Sequence, residues 1–287
     1  MHRETPEDQM DDREVGRYWD ENAPEWIRAV RAGWDKYREQ LNNPAFFGML
    51  PDLRGKRVLD IGCGEGYNTR KSADLGASVV GIDISEAMIA AARRHEAEHA
   101  RGIEYHLASG SDLGMFGDAT FDAVLSTMAM MDLPDYAGCV RECFRVLQPG
   151  GLLQFSVTHP CTQTRLWKWV RDDNGERIGV IVGNYFGLQP ETPEEDVDEW
   201  FFGAAPAEVK ATARKFRIPR FFRTLGEYYN TLVDAGFSVE RLCEPVADEE
   251  TARKHPYVAD TRIVPYTLIF QCRKGPATPR PPTTVGG

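Results

Sequence analysis

The chain has 287 residues, 42% hydrophobic and 27% charged, which excludes a largely disordered, collagen-like or disulfide-scaffold protein. Its 34 basic against 44 acidic side chains give a net charge of −10, the wrong sign for gripping a phosphate backbone, so nucleic acid is not an expected partner. No run approaches the roughly 18 apolar residues of a membrane span, and the N-terminus is polar and acidic where a signal peptide would be basic then apolar. The chain is accordingly placed in the cytoplasm.

The six cysteines are scattered without a C-x-x-C pair, so no zinc site or disulfide framework is expected. Cys139 and Cys143, four apart on a predicted helix, read as buried apolar side chains.

Residues 1–14 read as a mobile N-terminus, and the Pro/Gly/Thr-rich residues 275–287 as a disordered tail. Residues 15–274 are expected to form a single domain. From 15 to 50, aromatic and apolar residues recur at helical spacing (Tyr18, Trp19, Trp26, Ile27, Val30, Trp34, Tyr37, Leu41), with Pro24 and Pro44 as breaks, predicting helices that cap a later core.

Between Arg57 and Phe155 short β-rich runs alternate with helical ones, the runs being RVLDIG, SVVGID, IEYHLA, FDAVLS and GLLQFSV. That alternation is the sequence form of βαβ units and predicts an α/β fold with a parallel sheet. Helices are expected over 67–75, 85–98 with Ser85 as N-cap, and 135–147; the connection after the third strand is short. Residues 160–224 break the rhythm with many aromatics amid Gly, Pro and acidic residues and read as an insert, a lid with its own aromatic packing. LGEYYNTLVDAGFSVERL and TRIVPYTLIFQCR then give a helix and two strands that close the sheet edge, with an antiparallel edge strand.

The first strand runs into Gly62-Cys63-Gly64-Glu65-Gly66. Glycines there permit a sharp turn and let a ligand lie against main-chain N–H groups, and the helix N-terminus beyond favours an anionic group. The second strand ends in Asp83, whose carboxylate can accept from a ribose diol, and the third runs into Ser109-Gly110-Ser111-Asp112, small polar groups able to meet a base edge. A dinucleotide fingerprint would need its third glycine at position 67, where Tyr67 stands.

VLDIGCGEG (58–66), GIDIS (81–85), ATFDAVLS (119–126) and CFRVLQPGGLLQFS (143–156) resemble, in order and spacing, class I S-adenosylmethionine-dependent methyltransferases. They are most similar to the small-molecule branch that includes the ubiquinone/menaquinone-biosynthesis enzymes. The resemblance implies a Rossmann-like fold and S-adenosyl-L-methionine as cofactor. It implies that the Gly62–Gly66 loop, including Cys63 and Gly64, holds the methionine part together with Asp60, with Thr69 facing the cofactor and Asp83 beside Ile84 taking the ribose. Ser109 and Gly110 would lie at the adenine, with Asp112 as a substitute for the acidic residue that Ser109 replaces, and Ser126 would sit beside the cofactor at the end of the fourth strand.

Methyl transfer from a sulfonium is chiefly alignment, plus proton removal where the acceptor carries a proton. His159, directly after the fifth strand, is the candidate general base, with a strand-capping role as the alternative. Trp26, Tyr185 and Phe186 are the candidate substrate-binding aromatics. The basic residues Lys210, Arg214, Lys215, Arg217, Arg220 and Arg223 either hold an anionic substrate or pair with the acidic run 191–199. The function expected is methyl transfer to a small organic acceptor, at carbon or oxygen before nitrogen; a catalytically silent cofactor-binding scaffold is the alternative. No metal site is expected, and oligomeric state is not legible.

Overall fold

The computed structural model describes residues 10–164, 166–186 and 197–275. The acidic segment DDRE, expected to fray, instead starts the first helix. Asp11 accepts from the Glu14 amide at 2.8 Å while Glu14 accepts from the Asp11 amide at 3.2 Å, a capping box that fixes the start of α1 (Asp12–Arg31). The acidic first turn and basic last turn suit the helix dipole. Pro24 does not break α1: the helix runs through it, forgoing one N–H, because tertiary packing of the flanking turns outweighs the lost rung. A π-helical turn, Arg38–Asn42, leads into α2 (Asn43–Gly48), with Pro44 in the first turn, where its missing N–H is not needed.

The βαβ region follows as β1 (Arg57–Ile61), α3 (Tyr67–Asp74), β2 (Ser78–Asp83), α4 (Glu86–Glu98), β3 (Glu104–Leu107), β4 (Phe121–Thr127), α5 (Tyr136–Val146) and β5 (Leu147–Thr158). Ser85 caps α4 by accepting from the Met88 amide at 3.1 Å, and no helix interrupts residues 108–120. The insert contributes hairpins β6 (Leu166–Arg171) with β7 (Arg177–Gly183) and β8 (Val197–Trp200) with β9 (Phe216–Pro219), with α6 (Ala207–Thr212) inside the second. Then come α7 (Leu225–Asp234), β10 (Phe237–Cys243), α8 (Glu249–Lys254) and β11 (Thr267–Lys274).

Seven strands form one sheet in the order β10-β11-β5-β4-β1-β2-β3. β1 to β5 are mutually parallel; β11 runs antiparallel to both β5 and β10, so the reversed strand stands one place in from the edge. Strand order reverses between β1 and β4, which puts a crevice at their carboxyl ends. Side chains alternate across β1: Leu59 and Ile61 join the core beneath α5 and α7, while Val58 joins the core with Phe46 of α2 and Ile89 of α4.

The aromatics of the β8–β9 hairpin pack against α1, whereas Trp167 and Trp169 of the first hairpin meet each other, at 5.1 Å between ring centroids. Ala29 and Val30 of α1 cluster with Phe202, Phe216 and Ile218, and Trp26 meets Trp19 and Phe216 edge-on, each at 5.1 Å between ring centroids. The N-terminal tryptophans supply apolar surface that the short β8–β9 hairpin cannot supply for itself. Among the described residues, no helix is long and apolar enough to cross a membrane.

Candidate functional site

The carboxyl ends of β1, β2 and β4 open into a cavity of about 780 Å³. Its remaining walls come from α1, the segment from Trp34 to Asn42, the insert and the residues before β11. Gly62, Cys63 and Gly64 line it, as do Asp83, Ile84 and Gly110.

The glycine loop works differently from the expectation that its amides face a ligand. The Gly62 and Cys63 amides both donate to Ile82 O at 2.9 Å, and the Gly66 amide donates to Cys63 O at 3.0 Å. The Gly64 amide donates to Asp83 Oδ2 at 2.8 Å. What glycine supplies here is space and a left-handed backbone. Gly62 has φ +69°, and a Cβ there would stand 2.2 Å from the Ala129 Cβ; Gly64 has φ +56°, and nothing lies within 4 Å of where its Cβ would be.

Asp83 is held on both oxygens, since Oδ1 also accepts from the Ser85 amide at 2.9 Å. Each oxygen keeps a lone-pair direction for a further donor. Burial raises its pKa, opposed by these two amides and reinforced by the charge of Asp20.

Asp60 and Thr69 do not line the cavity. On the alternating strand β1, Asp60 turns toward α3 and accepts from Thr69 Oγ at 2.6 Å, both side chains being buried. Burial pushes the Asp60 carboxyl up to about 7, with the nearby Asp83 charge adding and the Thr69 hydroxyl opposing. The pair braces the loop from behind.

Of the expected base-edge residues only Gly110 reaches the cavity; a Cβ there would meet Ile61 Cγ2 at 2.8 Å. Ser109 Oγ and Ser111 Oγ donate to Asp12 Oδ2 at 2.5 and 2.9 Å, clasping the first turn of α1. Asp112 is exposed and caps its own turn by accepting from the Gly114 amide at 3.1 Å. Ser126 is fully buried within the sheet and does not line the cavity, whereas Thr127, one residue on, does. A one-residue step along a strand moves the side chain to the other face, and the motif alone could not fix which hydroxyl faces inward.

His159 does not line this cavity. It is 4% exposed, its Nδ1 accepts from the Cys161 amide at 3.1 Å, and its Nε2 lies 2.9 Å from Glu244 Oε1. That pattern fixes the neutral tautomer with the proton on Nε2, donated to the carboxylate. Burial lowers its pKa, the Glu244 charge opposing. Its place is taken at the cavity wall by its neighbour Thr158.

Trp26 lines the cavity; Tyr185 and Phe186 do not. The Tyr185 hydroxyl accepts from the Leu225 amide at 2.9 Å, tying the insert to α7, and Phe186 is 88% exposed. In the basic stretch, Arg214 pairs with Glu21 of α1 at 2.7 Å and Arg217 with Glu199 at 3.6 Å, while Arg223 donates to the Met131, Leu133 and Pro134 carbonyls. Arg220 alone of the six lines the cavity. Residues 191–196 of the acidic run lie outside the described residues.

The methyltransferase domain family matches residues 59–155, the stretch from β1 to β5 that builds this crevice. A structure of an S-adenosylmethionine-dependent methyltransferase from Mesorhizobium loti is 29% identical with a TM-score of 0.63, covering 80% of this chain and 96% of that one. Residues 59–155 thus carry a methyltransferase domain. A putative enzyme of the same description from Listeria monocytogenes is 25% identical, with a TM-score of 0.64 over 81% of this chain and 96% of that one. A ubiquinone biosynthesis O-methyltransferase from Thiobacillus denitrificans is 34% identical over 145 residues, 49% of this chain. The chain spans 57% of that relative's length.

The methyltransferase domain fits its cofactor on three observations. Gly64 opens onto the cavity where any side chain would intrude, Asp83 presents a restrained carboxylate at the end of β2, and Gly110 keeps the end of β3 flat. Gly62 to Gly64 would take the methionine part, Asp83 the ribose diol, and Gly110 with Ile84 the base. S-adenosylmethionine supplies a methyl group on a cationic sulfur. Thr127, which ends β4, and Met128 and Ala129 beyond it line the cavity and would face that group.

Sequence reasoning missed most of the remaining wall. Asn42, Asn68, Thr127, Thr158 and Tyr266 line the cavity without belonging to any local motif. The signals available were weak: the Asn42-Asn43-Pro44 run marks a helix junction, but nothing in it announces a π-helical turn.

Proposed function

We propose that the protein transfers a methyl group from S-adenosylmethionine to a small planar organic acceptor, at oxygen or carbon before nitrogen. The supporting observation is that Gly64 and Asp83 line the same cavity as Trp26, Trp200 and Phe201, so cofactor and acceptor share one chamber. Its volume falls in the range of small-molecule sites. The names of the curated relatives, O-methyltransferases of ubiquinone biosynthesis, favour oxygen.

In this reading α1 and the insert form a lid over the strand ends. Their shared aromatic cluster walls the acceptor half and excludes water, so catalysis consists of holding the acceptor in line with sulfur and methyl. With His159 turned away, the acceptor's proton goes to a cavity carboxylate or to water. The net charge of −10 weighs against a nucleic-acid acceptor, and its composition suits a cytoplasmic enzyme.

Incubating the full chain with methyl-labelled S-adenosylmethionine and small-molecule extracts tests this. The expected result is one labelled acceptor with stoichiometric S-adenosylhomocysteine; tight cofactor binding without transfer to any component would replace the enzyme by a scaffold.

A further inference from the structure

The cavity wall contains a buried side chain whose polar atoms the fold does not use. Asn42 is 2% exposed and lines the cavity, and neither its amide nitrogen nor its carbonyl oxygen has a hydrogen-bond partner. A primary amide brings two donors and a two-lone-pair acceptor, and buried groups of that kind are almost always satisfied. Asn43, next in sequence and equally buried, donates to Asn68 Oδ1 at 2.9 Å, and Asn68 donates onward to Thr127 Oγ1 at 2.8 Å. Asn42 stands outside that chain.

Its position has a backbone cause. Asn42 ends the π-helical turn Arg38–Asn42, a wider turn that re-aims the side chains it carries and recurs at functional sites. The same turn carries Arg38, whose Nε lies 3.1 Å from Glu39 Oε1 and whose guanidinium lies 4.1 Å from the Tyr67 ring centroid, leaving Nη2 without a partner. On the aromatic wall the indole N–H of Trp200 is likewise unpartnered. An orphaned amide and two orphaned N–H donors therefore lie at a cavity whose wall also carries the rings of Trp26, Trp200 and Phe201.

We propose that Asn42 is the specificity-determining residue of the acceptor site, its amide binding an oxygen substituent of a planar acceptor whose ring lies against Trp26, Trp200 and Phe201. A hydroxyl fits this amide best, because it both accepts from the N–H and donates to the carbonyl oxygen; Arg38 Nη2 is the second donor. This inference rests on the reading that the cavity holds the acceptor beside the cofactor.

The test is a binding measurement that needs no turnover. 4-Propylcatechol, 4-propylphenol and propylbenzene are titrated into the full chain saturated with S-adenosylhomocysteine, following tryptophan fluorescence, for the wild type, Asn42→Ala and Asn42→Ser. Affinity should rise from propylbenzene to the catechol in the wild type. Asn42→Ala should lose about ten- to a hundredfold for the catechol and nothing for propylbenzene, with Asn42→Ser intermediate. S-adenosylhomocysteine affinity, unchanged in both variants, reports that they fold. Equal affinity of the wild type for all three rings, or catechol binding unchanged in both variants, overturns the proposal. Oxygen-dependent binding without methyl transfer to any acceptor would leave Asn42 in its role and remove the methyltransferase reading; transfer with Asn42 idle would do the reverse.

Discussion

Asn22 of α1 pairs with the main chain of Arg217 in β9 as a strand residue would: its Nδ2 donates to Arg217 O at 2.8 Å and its Oδ1 accepts from Arg217 N at 3.2 Å. The side chain is 3% exposed, so these two hydrogen bonds fasten helix to insert away from water. Asn22→Ala strands a donor and an acceptor of Arg217. It should lower stability by about 2 kcal/mol, read from the midpoint of denaturant unfolding at constant m-value.

The two loop glycines should fail differently. Gly62→Ala drives a Cβ into Ala129, so it should destabilise the fold by about 2–4 kcal/mol. Gly64→Ala meets no protein atom and should cost about 1 kcal/mol of backbone strain while sharply weakening S-adenosylhomocysteine binding. Melting temperature and calorimetric affinity, measured on both, separate the effects; a Gly64→Ala variant with wild-type affinity would show that the cofactor does not lie against this loop.

Asp83→Asn keeps the shape but removes the charge and forces an NH₂ against an amide donor. Affinity for S-adenosylhomocysteine should drop by about 10–100-fold, with a smaller loss of stability. Isothermal titration on the purified variant checks this, and an unchanged constant would take the ribose away from Asp83.

His159→Gln should leave turnover within about threefold of the wild type. Its ring bonds the Cys161 amide and Glu244 and does not reach the cavity, so the loss should appear in stability, at about 1–2 kcal/mol. A fall in turnover of two or more orders of magnitude, with normal cofactor binding, would return the histidine to catalysis.

Asp60 should govern one arm of the pH profile. Its folded pKa of about 7 stands above the ordinary carboxyl value, so between about pH 4 and 7 the folded state holds a proton that the unfolded chain has released. Its contribution to stability is full below about pH 4 and is lost as pH rises through 7, on the order of 2–4 kcal/mol in all. Asp60→Asn removes the titration, so its stability should change less over that window, as equilibrium unfolding at a series of pH values will record.

The crevice was legible in the sequence because its parts are backbone features with local signatures. Strand runs, the Gly62–Gly66 turn, Asp83 at a strand end and the Ser85 cap each depend on near neighbours. Side-chain direction was less so: Asp60, Ser126 and His159 sit on or beside strands where one residue decides which face is presented. Ser109 was recruited by Asp12, 97 residues away, and Tyr185 by the main chain of α7. The acceptor wall was least legible of all, since the π-helical turn that places Arg38 and Asn42 has no sequence mark and the aromatic cluster joins segments nearly 180 residues apart.

The clasp at the start of α1 has a kinetic corollary. Asp12 holds Ser109 and Ser111 beside β3, and Asp20 accepts from Ser85 Oγ at 2.7 Å and from the Ala87 amide at 3.0 Å beside β2. Both carboxylates thus anchor one helix beside the ends of β2 and β3, the proposed nucleoside site, and Val15 and Trp19 of that helix line the cavity. Departure of spent cofactor past this helix requires these contacts to part. Loosening the clasp, as in Asp12→Asn, should shorten the residence time of S-adenosylhomocysteine and relieve product inhibition.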